Sequence, residues 1–279
     1  MKTGIVILNY NDSENTIKMI NQIKDYKNIS KIVIVDNKSS DDSVERIKPL
    51  TNKKIVLIEA KNNKGYANGN NIGLKYLSND TDIELVIISN PDILVEESVI
   101  DELIKDFKKH PEISFLGPKI LERGSISRGW RHPTFLSELV SNINYFSKYE
   151  KRLLRYEQTD EHLRKVDVIH GCFFMARLKD FEDINFFDPN TFLYYEENIL
   201  AKKREKKGFN AYVDNYLSVT HALSQSVDKS LKKIKKYKIL KNSMFYYEHQ
   251  YCERNIIERF ILKLSYILSL GILYLTFWI

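Results

Sequence analysis

No stretch limits what this chain can fold into more than Glu84-Leu-Val-Ile-Ile-Ser-Asn-Pro-Asp92. Leu85 to Ile88 is an apolar run of strand length rich in β-branched residues and bounded by turn residues. It reads as a strand buried on both faces of a parallel sheet. Pro91 has no N–H to give to a ladder, so the strand ends before it. Asp92 is therefore expected at the carboxyl end of a strand, where open α/β sheets bind ligands. A carboxylate there suits a divalent cation beside a phosphate. It also suits the N-cap of a following helix with Glu96 and Glu97 in its first turn.

The segments before it alternate between strand and helix patterns. Thr3–Leu8 reads as a first strand, followed by Asn9-Tyr10-Asn11 and a helix over about Ser13–Tyr26. Lys31–Val35 is a second strand ending in Asp36-Asn37, with a helix from about Asp41, and Lys54–Glu59 is a third. This alternation over the first 110 residues predicts a parallel sheet with helices on both faces. In Asn62-Asn-Lys-Gly-Tyr-Ala-Asn-Gly-Asn-Asn-Ile-Gly73, Gly65, Gly69 and Gly73 are four apart and would share one helix face. Asn62, Asn63, Asn68, Asn70 and Asn71 supply amides for a base, a ribose or a diphosphate. The stretch is neither a P-loop nor a GxGxxG fingerprint.

Beyond the central strand, a helix is expected over Glu96–His110 and a strand over Ile113–Ile120. Leu121–Pro133 is irregular, and Arg123, Arg128 and Arg131 beside Trp130 give it the composition of a loop that closes over an anion, or of a plain surface loop. Phe135–Tyr156 reads as helical. Lys165–Arg177 reads as a strand pair or one bent strand, with Gly171 marking a close approach. Tyr194-Tyr-Glu-Glu197 opens a helix to about Lys207. Adjacent residues do not share a helix face, so Glu196 and Glu197 need different jobs. One facing a pocket would have its pKa raised by burial, as a general base requires; as first-turn acids, both would complement the helix dipole. Gly208 closes that helix, Asn210–Val213 is a short strand, and His221 follows with Ser224 and Ser226.

From Lys229 the pattern stays helical to the end, with a lysine cluster at Lys232, Lys233, Lys235 and Lys236. Residues 265–279 are almost uncharged, yet an apolar run of about 15 residues is shorter than the roughly 20 that span hydrocarbon. That points to a helix lying in a membrane interface, or to one packed on the main domain or on a second subunit. The formal net charge of +6 is spread over the chain, which favours a solvated surface or an anionic ligand or membrane over a nucleic-acid groove. The two cysteines, Cys172 and Cys252, make no disulfide framework. The short apolar start is not a signal peptide, and the expected location is the cytosol.

Taken in order, Ile5–Asn11, Val33–Asp41, Asn62–Gly73, Ser89–Asp92, His170–Arg177, Phe192–Glu197 and His221–Ser224 resemble the motifs of the family 2 glycosyltransferases, and within them the rhamnosyltransferase-like branch. The resemblance implies an α/β GT-A fold: a Rossmann-like, mostly parallel central sheet flanked by helices, here over residues 1–226, with a C-terminal helical extension over 227–279. It implies inverting transfer of a sugar from a nucleotide-diphosphate donor (dTDP-rhamnose or a UDP-hexose) to a cell-surface polysaccharide or lipid-linked acceptor. Asn9, Tyr10, Asn11 and Asp36, supported by Asn62, Gly65, Asn70 and Asn90, would form the nucleotide site. Asp92 and His221 would hold Mg2+ or Mn2+; Glu197 would be the base, Glu196 would orient acceptor or loop, and Arg128, Trp130 and Arg131 would cover the donor. In this pattern Asn90 replaces the first acid of the metal motif, and Glu197 stands where the family has Asp. A membrane surface at the inner face of the cell, and a second copy of the chain, are the expected partners; a glycan-binding scaffold is the non-enzymatic alternative.

Overall fold

The computed structural model describes residues 1–122, 124–142, 153–156, 158–222 and 233–276. The strands are β1 (Lys2–Asn9), β2 (Ile29–Asp36), β3 (Ile55–Glu59), β4 (Ile83–Ser89), β5 (Ile93–Leu94), β6 (Ile113–Glu122), β7 (Ser125–Ser127), β8 (Leu163–Lys165), β9 (Phe173–Arg177) and β10 (Asn210–His221). The helices are α1 (Ser13–Ile23), α2 (Ser43–Ile47), α3 (Tyr66–Leu77), α4 (Glu97–Lys109), α5 (Phe135–Asn142), α6 (Leu178–Asp183), α7 (Glu196–Glu205), α8 (Lys233–Gln250) and α9 (Ile256–Thr276).

The described strands form one sheet in the order β3-β2-β1-β4-β9-β6-β10-β5, with β7 on β6 and β8 on β10. The pairs β3–β2, β2–β1 and β1–β4 are parallel. β9 runs antiparallel between β4 and β6, and β6–β10 is parallel again.

Strand periodicity decides which side chains meet which helices. Ile5, Ile7, Ile32, Ile34, Leu85 and Ile87 point to one face and pack with Met19 and Ile20 of α1 and Ile100, Leu103 and Phe107 of α4. Val6, Val33, Val35, Val86 and Ile88 point to the other and pack with Leu74 and Leu77 of α3 and Phe181 of α6. Both faces of the central strands are thus apolar because both are covered. A Cβ on Gly69 would lie 2.3 Å from Leu8, and one on Gly73 would lie 2.5 Å from Val6. These two glycines let α3 lie directly on β1, which is the shared face their spacing predicts.

Several expectations need correction. Asp92 is not an N-cap: β5 intervenes and α4 starts at Glu97, with Glu96 in extended conformation before it. Helix α5 covers 135–142; Arg155 is in an extended bridge with Trp130, and 143–152 lie outside the described residues. The Lys165–Arg177 stretch is two separate strands, β8 and β9, with the Val166–Cys172 turn between them. β10 runs to His221 rather than Val213, because an irregularity between Asp214 and Ser218 absorbs its polar residues and pairing with β6 then resumes. Arg123, Ser224, Ser226 and Lys232 lie outside the described residues.

The C-terminal helices are two, broken between Gln250 and Ile256. α8 packs through Met244 and Tyr247 onto Tyr195 and Ile199. α9 lies on α5, where Asn142 Nδ2 donates to the Leu262 carbonyl at 3.2 Å and to Ser265 Oγ at 2.7 Å. Its opposite face leaves Ile257, Phe260, Leu264, Ile267, Leu268 and Ile272 exposed. Among the described residues, no helix is long and apolar enough to cross a membrane.

Candidate active site

The carboxyl ends of β1, β2 and β4, together with β10, meet at one edge of the sheet, and the chemistry-bearing side chains gather there. At the β1–β2 end, Asp36 is buried and accepts from Asn9 Nδ2 (2.8 Å), Ser39 Oγ (2.5 Å) and the Ser39 amide (2.9 Å). Asn9 Oδ1 accepts from Thr16 Oγ1 at 2.8 Å, so Asn9 is fully engaged beneath the surface and braces Asp36. Tyr10 and Asn11 are exposed beside them, Asn11 at φ 53° with its Oδ1 accepting from the Ser40 amide. Asn62 is exposed. Its neighbour Asn63 makes the bonds, its Oδ1 accepting from Asn37 Nδ2 (3.1 Å) and the Gly65 amide (3.0 Å). Asn70 is buried inside α3 and donates to the Tyr66 carbonyl.

Gly65 ties this end to the acid-bearing helix. Its φ is +96°, and a Cβ there would lie 2.0 Å from the Phe192 carbonyl oxygen, which accepts the Tyr66 amide at 2.9 Å. Only glycine fits that approach. It fixes the start of α3 against the segment leading to Glu196 and Glu197.

Asp92 lies against the end of β10. Its carbonyl accepts the Ala222 amide (2.9 Å), and its Oδ1 is 3.2 Å from His221 Nε2. On the other side of the imidazole, Nδ1 is 2.6 Å from Glu122 Oε1, at the end of β6. Burial disfavours the imidazolium, but the carboxylates of Asp92 and Glu122 prevail and raise the His221 pKa to about 9. Two acids thus hold positive charge between them. A divalent cation that displaced the Nε2 proton would meet the Asp92 carboxylate and an imidazole oriented through Nδ1 by Glu122, a donor set that fits it.

Glu122 also lies 3.6 Å from His170 Nε2, which begins the turn into β9. Burial holds His170 neutral, its pKa lowered to about 4. Next to it, Gly171 touches the base candidate: a Cβ there would lie 2.5 Å from Glu197 Oε1. The Gly171 carbonyl accepts the Tyr66 hydroxyl at 2.8 Å, and the Cys172 carbonyl accepts the Asn90 amide at 2.8 Å. One short turn, His170–Cys172, therefore links Glu122 and His221 on one side to Glu197 on the other.

Glu196 and Glu197 open α7 after Tyr194 and Tyr195, both left-handed at φ 73° and 69°. Non-glycine residues held in that region carry strain that surrounding structure must offset, which is frequent at functional sites. Here the offset includes the Tyr195 hydroxyl, which donates to Glu138 at 2.8 Å. The helix phase separates the two acids. Glu197 faces a cavity of about 1140 Å³ walled also by Glu122, Trp130, His170, Tyr194 and Lys241. Glu196 is buried behind it, and its Oε1 has no hydrogen-bond partner. Burial, and then the neighbouring Glu197 charge, push Glu196 up to about 8. Burial also raises Glu197, while the amides of Glu197 and Gly171 favour its charged form.

Of the three loop residues, Arg128 and Trp130 line the cavity. Trp130 is anchored, its Nε1 donating to Asn198 Oδ1 at 2.9 Å. Arg131 does not line it; its guanidinium lies over the ring of the lining residue Tyr156, 5.1 Å from the centroid. Glu122, His170 and Tyr66 were not singled out in sequence. Glu122 and His170 had the signal that exposed Asp92, a polar residue at the end of an apolar strand or in the turn leading into one.

The family model for Glycosyl transferase family 2 matches residues 4–184. Over 227 residues the chain is 26% identical to the low-salt glycan biosynthesis hexosyltransferase Agl10 of Haloferax volcanii, covering 81% of this chain and 68% of that protein. It is 29% identical over 121 residues to a poly-β-1,6-N-acetyl-D-glucosamine synthase of Staphylococcus aureus, spanning 42% of this chain and 28% of the synthase. The fold resembles the mannosyltransferase PcManGT from Pyrobaculum calidifontis, solved with GDP-Man and Mn2+, at a TM-score of 0.61 and 13% identity over 95% of this chain and 69% of that one. It also resembles GalNAc-T7, solved with UDP, GalNAc and Mn2+, at a TM-score of 0.59 and 15% identity over 80% of this chain and 44% of that one.

Proposed function

The chain belongs to glycosyl transferase family 2, and from that premise we propose that it transfers a sugar with inversion from a nucleotide-diphosphate donor, dTDP-rhamnose or a UDP-hexose, to a hydroxyl of a cell-surface polysaccharide or lipid-linked acceptor. One observation supports the reading: Glu197, His170 and Glu122 line one cavity, and Glu122 is joined through His221 to Asp92.

In this reading Glu197 takes the proton of the acceptor hydroxyl as its oxygen bonds to the anomeric carbon, from the face opposite the diphosphate. The bond from that carbon to the diphosphate breaks, and the electron pair leaves with the nucleotide. A nucleotide diphosphate departs without a proton, so one carboxylate suffices where a glycoside hydrolase needs two. Asp92 and His221 would hold Mg2+ or Mn2+, which neutralises charge developing on the departing diphosphate. Glu122 keeps His221 turned toward Asp92. Asp36, braced by Asn9, with Tyr10, Asn11, Asn62 and Asn90, receives the nucleoside and ribose; Gly65 and Asn70 hold that wall through α3. Arg128 and Trp130 face the donor, and Arg131 stiffens their loop. Buried Glu196 keeps Glu197 in place.

Residues 1–226 would form the catalytic unit and 227–279 a helical extension. The exposed apolar face of α9 would rest on the inner face of the cell membrane, bringing a membrane-borne acceptor to the cavity. The test is a thermal-shift screen of nucleotide sugars with and without Mn2+, since a ligand that binds only the native state raises its apparent stability. A donor that stabilises the chain only with Mn2+, a stabilisation lost in Asp92→Asn, is the expected result. Equal stabilisation with and without Mn2+ would remove the cation from the reading.

A further inference from the structure

A second group of ligand-type side chains lies away from this cavity, where α4, β8 and β10 meet. His162 precedes β8, Asp106 is on the last turns of α4, and Asp214 lies on β10 where its register shifts. Asp214 stands opposite Pro118 on β6, while Thr220, beside His221, stands opposite Leu121. The group is therefore on the order of 13 Å from the active-site imidazole along the strand direction.

His162 Nε2 is 3.1 Å from Asp214 Oδ2 and 3.9 Å from Asp106 Oδ2, and one donor atom from each residue falls within 4.8 Å of the others. Asp214 is 1% exposed, and its other oxygen accepts the amides of Tyr216 (2.7 Å) and Leu217 (3.1 Å), which fixes its direction. The His162 ring stacks on Tyr216 with centroids 4.8 Å apart, and its carbonyl accepts the Asn215 amide. Asp106 is the unresolved member: it is 4% exposed, and its Oδ2, aimed into the group, has no hydrogen-bond partner.

Two buried carboxylates facing one another need a positive charge or a shared proton, because burial penalises each ion and each penalises the other. The half-exposed imidazole supplies at most one charge, and it does not bond Asp106. A tetrahedral Zn2+ with bonds of about 2.0–2.2 Å has ligand–ligand edges of roughly 3.3–3.6 Å, and the 3.1 and 3.9 Å separations bracket that range. Imidazole with two carboxylates suits Zn2+ better than Mg2+ or Ca2+, which take more oxygens and keep more water.

We propose that Asp106, His162 and Asp214 form a Zn2+ site, its fourth position open to water on the exposed side of His162, that fastens β8 and the end of α4 to β10. β8 leads into the turn that carries His170 and Gly171, so the ion would steady that turn from behind without touching substrate. The proposal is independent of the glycosyl-transfer reading, since none of its residues is in the cavity.

The test uses the full chain, stripped with a chelator and titrated with Zn2+ by calorimetry. Asp92→Asn and His170→Ala are introduced first to remove donors at the active site. One equivalent of Zn2+ should bind and raise the melting temperature. Co2+ in its place should show the visible absorption of a tetrahedral site. Adding His162→Ala or Asp106→Asn should weaken binding by at least the ~10–100-fold that loss of even an outer partner costs a metal site. His162 is half-exposed, so the alanine variant keeps its fold, checked by circular dichroism. No uptake by the background chain, or uptake that both substitutions leave unchanged, would overturn the proposal. Absent uptake with a melting temperature that falls from pH 4 to 6 would assign the pair a shared proton instead, in keeping with an Asp106 pKa that burial and Asp214 raise to about 6.

Discussion

Gly171 is where a single methyl group distinguishes a structural role from a catalytic one. The three atoms nearest an added Cβ all belong to the Glu197 side chain, at 2.5 to 3.0 Å. A flexible carboxylate can move aside, so Gly171→Ala should leave the melting temperature nearly unchanged while displacing the base. A 1 Å misplacement costs on the order of 10²-fold in rate, and kcat for transfer should fall by about that amount. A melting temperature that drops with kcat would make Gly171 merely structural. Glu196 makes an opposite prediction. Its folded pKa, raised to about 8, lies above the ordinary carboxylate value, so its contribution to stability is complete below about pH 4.5 and is lost as pH rises toward 8. Glu196→Gln should therefore be more stable than the parent at pH 8 and gain little at pH 5, by thermal melts at both values. A gain that does not grow with pH would contradict the buried, protonated acid. Much of this was legible in sequence: adjacent acids cannot share a helix face, and Glu197 does face the cavity while Glu196 does not. Glu122 carried the same strand-end signal as Asp92, but its partner was not legible, because nothing local marks the end of β6 as neighbour to the end of β10.

At the scale of elements, the α/β alternation, both faces of β4 and the glycine face of α3 followed from periodicity alone. The misreadings came where polar residues interrupt a strand or a helical pattern runs past its tertiary support. β10 continues through Asp214 and Asn215 because β6 pairs with it again beyond the irregularity, which no local propensity reveals. Gly65 joins α3 to the segment before α7 by a backbone contact, so Gly65→Ala acts on both elements. The left-handed geometry costs about 1–3 kcal/mol in a non-glycine residue, and the clash with the Phe192 carbonyl adds to it. The variant should unfold at clearly lower denaturant concentration, with donor affinity falling as Asp36 and Glu197 lose their common wall. Unchanged stability would mean that the α3–Phe192 approach is not a constraint.

Across the whole molecule, the extension does two things at once. α8 buttresses Tyr195 at the start of the acid-bearing helix, while α9 packs one side on α5 and leaves the other side apolar and exposed. Fully burying a leucine side chain is worth about 1.5–3 kcal/mol. Leu264→Glu with Leu268→Glu should therefore weaken binding to anionic phospholipid vesicles by more than about tenfold, measured by co-sedimentation. Equal binding by the parent and the double variant would exclude this face as the membrane contact. The central claim is that two acids distant in sequence, Asp92 and Glu197, serve one reaction, Glu197 at the cavity and Asp92 joined to its wall through His221 and Glu122. Its most direct measurement is single-turnover sugar transfer beside calorimetric donor binding in Glu197→Gln. The account predicts donor affinity close to the parent's and a rate lower by about 10²–10⁴-fold. A rate equal to the parent's would contradict it.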